Sequence, residues 1–104
     1  MSVIQRRIFY GKVGTADELV GWASEMYGLI NANYSNMSYR IMTDHMSGRT
    51  DRVVVEVEVE NLGEFEEGVG RVMQDTATQQ RFADAFAKLQ PLIDYAEVEH
   101  WSVR

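Results

Sequence analysis

The chain has 104 residues and a mass of 11.9 kDa, which allows one domain with one hydrophobic core, residues 1–104. Its content of 45% hydrophobic and 25% charged residues is ordinary globular composition and argues against a disordered or membrane-embedded chain. The formal charge of −6 argues against nucleic acid as a partner, because binding to phosphates depends on a basic surface.

The sequence lacks cysteine and lacks long apolar segments, and both features bear on the compartment in which we expect the protein. The sequence has no cysteine, which removes disulfides, thiol nucleophiles and thiolate metal sites. It also has no apolar stretch near the roughly 20 residues of a transmembrane helix, and no apolar signal-peptide core at its N-terminus. We therefore expect a soluble, cytoplasmic protein with no membrane partner.

The first half of the chain predicts a strand, a helix and a second strand. Ile4 to Val13 is rich in β-forming side chains and ends at Gly14. Thr15-Ala-Asp-Glu18 has the form of a capping box, and apolar residues at three- and four-residue steps then predict a helix to about Asn31. A turn-rich segment follows, and the second strand is predicted from Tyr39 to Met46.

Residues 52–60 alternate strictly, as Arg-Val-Val-Val-Glu-Val-Glu-Val-Glu, and predict a third strand after a hairpin loop at residues 47–51. Successive side chains of a strand point to opposite faces, so one face is apolar and the other acidic. The apolar face carries Val53, Val55, Val57 and Val59, and the acidic face carries Glu56, Glu58 and Glu60.

The second half predicts two helical stretches and a last strand. Asn61, with Glu64 three residues later, caps a helix, and another helical stretch begins near Asp75 and closes at Pro91. The alternating segment Tyr95 to Val103 is the predicted fourth strand. The paired glycines of Gly-Val-Gly at 68–70 lie inside a helical stretch and do not form a phosphate loop.

This order, β-α-β-β-α-β, predicts an α+β, ferredoxin-like fold: a four-stranded antiparallel sheet in the order 4-1-3-2 with the helices on one face. The basic first strand, with Arg6, Arg7 and Lys12, then lies between the acidic third and fourth strands. Opposite charges on neighbouring strands favour this pairing.

The face of the sheet without helices has a composition that is unusual for the exposed surface of a monomer. It is expected to carry Tyr95, Trp101 and Val103 among the glutamates, including Glu97 and Glu99. Aromatic side chains on an open sheet indicate a surface that another molecule covers, and a second copy of the chain is the simplest cover. We therefore predict a homodimer, with a solvated polar face as the alternative.

These features resemble the dimeric α+β barrel superfamily, in which two ferredoxin-like subunits pack sheet to sheet. The resemblance covers nearly the whole chain. It is carried by Arg-Ile-Phe-Tyr-Gly-Lys-Val at 7–13, by Gly48-Arg49 followed by Arg52-Val-Val-Val-Glu-Val-Glu, and by Asn61-Leu-Gly-Glu-Phe-Glu-Glu. The last two stretches are similar to the strand-to-helix segment of NIPSNAP-like members.

The superfamily also includes cofactor-free antibiotic-biosynthesis monooxygenases, haem-degrading monooxygenases and isomerases, so the resemblance implies a fold more than a reaction. No active-site set of these enzymes matches this chain residue by residue. A haem-degrading member would carry an Asn, Trp and His set with the His on a helix, whereas His45 and His100 are predicted on or beside strands. We expect no cofactor.

The candidate catalytic residues are His45, His100 and Arg40. The two histidines are the side chains that titrate nearest neutrality, and His100 shares a strand face with Val98, where it is expected to lie under the helices. A hydrogen-bonded core histidine remains the alternative. The glutamates of the strands are expected to be neutralised by Arg6, Arg7, Lys12 or Arg40 rather than to bind a metal.

A ligand site is predicted between the helices and the sheet, with the core of the domain as the alternative interpretation. Its expected residues are Trp22, Met26, Tyr27, Tyr39, Met42, Phe82 and Phe86. Three functions stay open: a protein that binds a small apolar molecule such as a fatty acid, quinone or aromatic metabolite, a cofactor-free monooxygenase or isomerase, and an interaction module with no ligand.

Overall fold

Four antiparallel strands and three α-helices form the part of the chain that the computed structural model describes, residues 2–34, 36–45, 47–48 and 51–104. In chain order the elements are β1 (Val3–Gly11), α1 (Ala16–Asn33), β2 (Met37–Thr43), β3 (Arg52–Val59), α2 (Leu62–Val72), α3 (Thr76–Leu89), a 3-10 turn (Gln90–Leu92) and β4 (Ile93–Ser102). None of the helices within these ranges is long and apolar enough to cross a membrane.

The sheet has the order β2-β3-β1-β4, which is the predicted 4-1-3-2 order, and each pair is antiparallel. The α+β, ferredoxin-like prediction is confirmed. The register places Arg6 of β1 opposite Glu56 of β3 and Glu99 of β4, so the charge pattern did indicate the right neighbours. Of the predicted second strand and hairpin loop, Met46 and residues 49–50 lie outside the described residues.

The core lies between α1 and one face of the sheet. The four alternating valines of β3 are at most 2% exposed, as their periodicity predicts. Phe9 of β1 and Leu19 of α1 are also fully buried beside them. This arrangement defines a helix-side face of the sheet, and the opposite face is left without helices.

Helix capping explains where α2 and α3 begin. The side chain of Asn61 accepts a hydrogen bond from the backbone N–H of Glu64, and that of Asp75 accepts one from the N–H of Thr78, at 3.1 and 3.0 Å. Both predicted caps are confirmed. The side chains satisfy amides that the first turn of a helix leaves without an intrahelical partner.

The predicted capping box at Thr15 was wrong. The Thr15 side chain makes no cap hydrogen bond to the first turn of α1, because its hydroxyl donates instead toward the carbonyls of Lys12 and Leu92, at 2.6 and 2.9 Å. Asp51, from the loop before β3, accepts from the N–H of Ala16 in its place. Long-range contacts therefore fix the start of α1.

The edge strand β4 is uncovered on both faces. None of its residues is buried, and Val98, which is on the helix-side face, is 46% exposed. Val98 pairs in register with Arg7 of β1, so the exposed part of the helix-side face lies directly beside Arg7. This opening is next to the cavity described below.

Gly68 allows α2 to approach the end of α1. A Cβ atom on Gly68 would lie 2.8 Å from the ring of Tyr34, which is buried and packs edge-on against Phe65 at a centroid distance of 6.2 Å. A Cβ atom on Gly70, two residues on in the same helix, would meet no atom of the described residues within 4 Å. The two glycines therefore have different roles.

We predict that Gly68→Ala lowers the free energy of unfolding by about 1–3 kcal/mol, because the added methyl group must displace the Tyr34 ring. The matched change Gly70→Ala should raise it by up to about 1 kcal/mol, since alanine favours a helix and nothing obstructs its side chain. Urea unfolding of the two variants checks this. Equal effects of the two substitutions would contradict the close approach at Tyr34.

Candidate functional site

A cavity of about 380 Å³ lies between the three helices and β1. Pockets for small molecules usually measure about 300–1,000 Å³ and combine apolar walls with a few polar groups. The lining has this composition, and it is referred to below as the helix-side cavity. Its residues are Gln5, Arg7, Phe9, Trp22, Met26, Tyr27, Ile30, Phe65, Glu66, Val69, Phe82, Phe86 and Leu89.

Aromatic rings form one wall of the helix-side cavity. The indole N–H of Trp22 donates to the backbone carbonyl of Ala85 at 2.7 Å, which ties α1 to α3, and its ring meets Phe9 edge-on at 5.3 Å. Phe82 is buried, whereas Phe86 is 54% exposed, with its ring 6.4 Å from that of Phe82. The wall therefore runs from the core to the surface.

The floor of the helix-side cavity is polar. Gln5 and Arg7 alternate with Arg6 along β1, so they share the helix-side face with Phe9. Across the neighbouring strands Arg7 faces Val55 and Val98. A cation and an amide thus lie on the face of the central strand where a simple core would have apolar side chains.

Tyr27 of α1 borders the same floor. Burial raises the pKa of the Tyr27 hydroxyl, and the charge of Arg7 and a hydrogen bond with it only partly oppose this effect. A tyrosine hydroxyl keeps its proton at neutral pH even at its ordinary pKa, so this one can donate a hydrogen bond. Gln5 reaches toward β4 on the other side, where its side-chain nitrogen lies 3.1 Å from Nε2 of His100.

The structure brings together five of the seven residues predicted for the ligand site. Those that line the helix-side cavity are Trp22, Met26, Tyr27, Phe82 and Phe86. Tyr39 lies on the helix-side face of β2 and contacts Tyr27, at a centroid distance of 6.1 Å, without lining the cavity. Met42 is separated from the set, because its place in the strand alternation puts its side chain on the opposite face of the sheet.

The three predicted catalytic residues do not form one site. Arg40 and His45 border a concavity on the opposite face of the sheet, together with Met42. His100 is on the helix-side face, beside Gln5, but it is at the uncovered edge of the sheet rather than under the helices. The expectation that His100 lies under the helices was wrong, because no helix covers β4.

Arg7 and Gln5, which form the polar floor, are among the eight of the thirteen lining residues that the sequence did not predict as part of the site. Arg7 was grouped with Arg6 as a partner for the acidic strands, although neighbouring residues of a strand point to opposite faces. The signal was present: Arg7 is in phase with Phe9, and Phe9 must face the helices if the core is to close. A strict use of alternation would have found it.

The opposite face of the sheet, called the open face below, is organised around Glu56. Its carboxylate, 8% exposed, accepts two hydrogen bonds from Arg6 at 2.6 and 2.9 Å and two from Arg40 at 2.7 and 2.9 Å. Glu99 lies 3.7 Å from Arg6. Aromatic side chains of the same face include Tyr10 and Tyr95, which stack at 4.3 Å.

The predicted neutralisation of the glutamates is therefore found at Glu56, through Arg6 and Arg40. No ion pair involves Arg7 or Lys12 in the part of the chain that the structure describes. Within the same residues, no group of three or more histidines, aspartates and glutamates lies close enough together to hold a metal ion.

Fold and site together define a ferredoxin-like α+β domain with a helix-side cavity and an open sheet face. The same fold occurs in a NIPSNAP family protein from Agrobacterium tumefaciens, which is 16% identical, with a TM-score of 0.75 over 99% of this chain and 86% of the other. It also occurs in an uncharacterised NIPSNAP domain protein from Burkholderia xenovorans, with 15% identity and a TM-score of 0.74 over 98% and 94% of the two chains.

A third structure with this fold is a mutant of SnoaB, a cofactor-independent oxygenase from Streptomyces nogalater. It is 10% identical, with a TM-score of 0.72 over 99% of this chain and 93% of the other. No protein-family model and no curated protein matches the chain. The resemblance to NIPSNAP-like and antibiotic-biosynthesis-monooxygenase-like proteins is confirmed at the level of the fold, and identities this low carry no function.

The Glu56 cluster makes stability depend on pH in a defined direction. Hydrogen bonds from Arg40, with those from Arg6, hold the pKa of the Glu56 carboxyl below its ordinary value, although desolvation acts the other way. A carboxyl with a lowered pKa stabilises the fold above its unfolded pKa, and this stabilisation is lost as the pH falls through the folded pKa.

We predict that Glu56→Gln lowers the free energy of unfolding at pH 7 by about 1–3 kcal/mol, because a buried carboxylate with charge-assisted hydrogen bonds is replaced by a neutral amide. The difference from the unmodified protein should shrink below the ordinary carboxyl pKa of about 4.3. Glu58→Gln, on the same strand but exposed, is the control, with an expected change within about 0.5 kcal/mol. A pH-independent difference in urea unfolding would contradict this account.

Proposed function

We propose that the protein binds a small, largely apolar molecule in the helix-side cavity, of the size of a fatty acid, a quinone or an aromatic metabolite. The observation that carries the proposal is that Trp22, Phe82 and Phe86 border 380 Å³ of space instead of filling it. The space opens to solvent at the outer end of the aromatic wall, where Phe86 is 54% exposed, so it is accessible to a ligand from outside.

We also propose that two copies pair through their open faces. Tyr95 and Trp101 are 48% and 54% exposed on that face, although aromatic side chains usually find cover. The Glu56 cluster supports the same idea, since a carboxylate already paired with two arginines costs less to bury than a free one. The absence of cysteine suits a reducing cytoplasm, where we propose that the protein acts.

A second candidate function is a cofactor-free monooxygenase or isomerase. The fold of SnoaB, a cofactor-independent oxygenase, favours it. In this chain the imidazole nearest the helix-side cavity is that of His100, whose Nε2 lies 3.1 Å from the side-chain nitrogen of the lining residue Gln5. A general base must lie within hydrogen-bond reach of the proton it removes, so Nε2 of His100 would have to release the Gln5 amide before it accepts a proton from a substrate. The third function, an interaction module with no ligand, would leave the helix-side cavity without a role.

Native mass spectrometry of the freshly purified protein, followed by denaturing extraction, tests the main proposal. We expect the mass of a dimer with an added small molecule of low polarity. A monomer would overturn the pairing of open faces. An adduct-free dimer that also takes up none of a panel of fatty acids, quinones and aromatic acids would overturn the binding function. If an extracted compound is turned over, loss of turnover in a folded His100→Ala variant supports the enzyme.

We predict that Val69→Phe reduces ligand uptake at least tenfold without changing the dimer mass. Val69 lines the helix-side cavity from α2 and is only partly buried, so a larger ring enters the ligand space with little strain on the core. Isothermal titration with the extracted compound measures the loss. Val13→Phe is the matched control, because Val13 is 98% exposed and does not line the cavity. Unchanged uptake by Val69→Phe would place the ligand elsewhere.

A further inference from the structure

We infer that the ligand of the helix-side cavity is a monocarboxylate, whose anionic group is bound by Arg7 and whose apolar body lies among the aromatic rings. This inference rests on the proposed function and narrows it to one chemical class. It follows from the charge of Arg7 on the cavity floor, from the lack of an acidic partner for Arg7 among the described residues, and from the hydrogen-bond donors around it.

Arg7 has no acidic partner in the described part of the chain. The ion pairs found there use Arg6, Arg40 and Arg52, and Arg7 is in none of them. Its cross-strand neighbours, Val55 and Val98, are apolar. Arg7 is half-buried, and its hydrogen-bond partner Tyr27 is neutral, so a bound anion would supply the counter-charge that the described residues do not.

The lack of an acidic partner for Arg7 is not due to a shortage of acidic residues in the chain. The chain has 16 acidic residues against 10 lysines and arginines. Arg6, one residue away on the opposite face, has an acid on each side, with Glu56 and Glu99 at the same register position. The two adjacent arginines therefore differ in what surrounds them, and Arg7 has apolar residues at the register positions where Arg6 has carboxylates.

The surroundings of Arg7 fit a carboxylate. A guanidinium presents parallel N–H groups that match the two oxygens of a carboxylate. Tyr27 is protonated at neutral pH, as an ordinary phenol is and as burial further favours by raising its pKa, so its hydroxyl is a further donor on the same floor. Gln5 contributes an amide two residues from Arg7 on the same face. The floor thus carries one charged and two neutral donor groups.

The described lining offers one cation to a ligand, and its exposed carboxylate disfavours more than one negative charge there. Arg7 is the one cation among the described lining residues, and Glu66, which is exposed on α2, adds a carboxylate to the same cavity. A phosphate dianion or a dicarboxylate would keep an uncompensated charge against apolar walls, which is costly. The long aromatic wall suits the hydrocarbon part of a monocarboxylate.

Isothermal titration with octanoate and with 1-octanol tests the inference, because the two probes share a chain and differ in charge. The unmodified protein should bind octanoate about 10- to 100-fold more tightly, the range expected of a hydrogen bond to a charged group. Arg7→Met should abolish that preference while keeping octanol affinity within about threefold. Arg6→Met, which changes the neighbouring arginine on the open face, should keep the preference.

Thermal unfolding without ligand separates a binding role from a structural one. Arg7→Met removes a charge without an ion-pair partner in the described residues, but also the hydrogen bond between Arg7 and Tyr27, so it is compared in a Tyr27→Phe background where that bond is already absent. In that background Arg7→Met should leave Tm unchanged or raise it if Arg7 serves ligand binding. A lower Tm in that background would make Arg7 structural and overturn the inference. Equal binding of octanoate and octanol would overturn the anionic anchor but leave the proposed function standing. Binding of neither probe, nor of any panel compound, would overturn both.

Discussion

The alternation of side chains along β1 is the constraint on which both surfaces of this protein depend. As the central strand, β1 pairs with β3 on one side and β4 on the other, so each of its residues is fixed to one face. Arg6 therefore joins the Glu56 cluster, and Arg7 faces the helix-side cavity. Within the described residues, a single step along the strand separates a neutralised charge from one that has no ion-pair partner.

The exposed edge at β4 leaves one side of the helix-side cavity's polar floor without a covering helix. The helices cover β2 and β3 and leave Val98 and His100 in contact with solvent. The cavity floor, formed by Gln5 and Arg7, is directly next to this edge in the sheet register. In the proposed function, this edge is the side from which the polar group of a ligand reaches the floor, while the apolar part lies against the wall formed by α1 and α3.

The fold alone leaves the function open, since it is shared by NIPSNAP proteins and by a cofactor-independent oxygenase at identities of 10–16%. Function on a shared fold depends on the chemistry of the site that each protein carries. Five of the seven residues predicted for a ligand site do line the helix-side cavity, because helical periodicity and burial direct them inward. Arg7 was missed because it was assigned by its charge and not by the face of the sheet on which it lies. Met42 was included because the face on which it lies was not considered.

The sequence by itself determined the element order, the strand order, the buried valines of β3 and the caps at Asn61 and Asp75. These features depend on residues close together in the chain, on periodicity, and on general rules for crossovers. Only the tertiary structure decided the role of Thr15, whose hydroxyl meets Leu92, 77 residues away. It also decided that His100 lies outside the cover of the helices, because whether a helix covers an edge strand depends on how distant elements pack, and no local pattern records that.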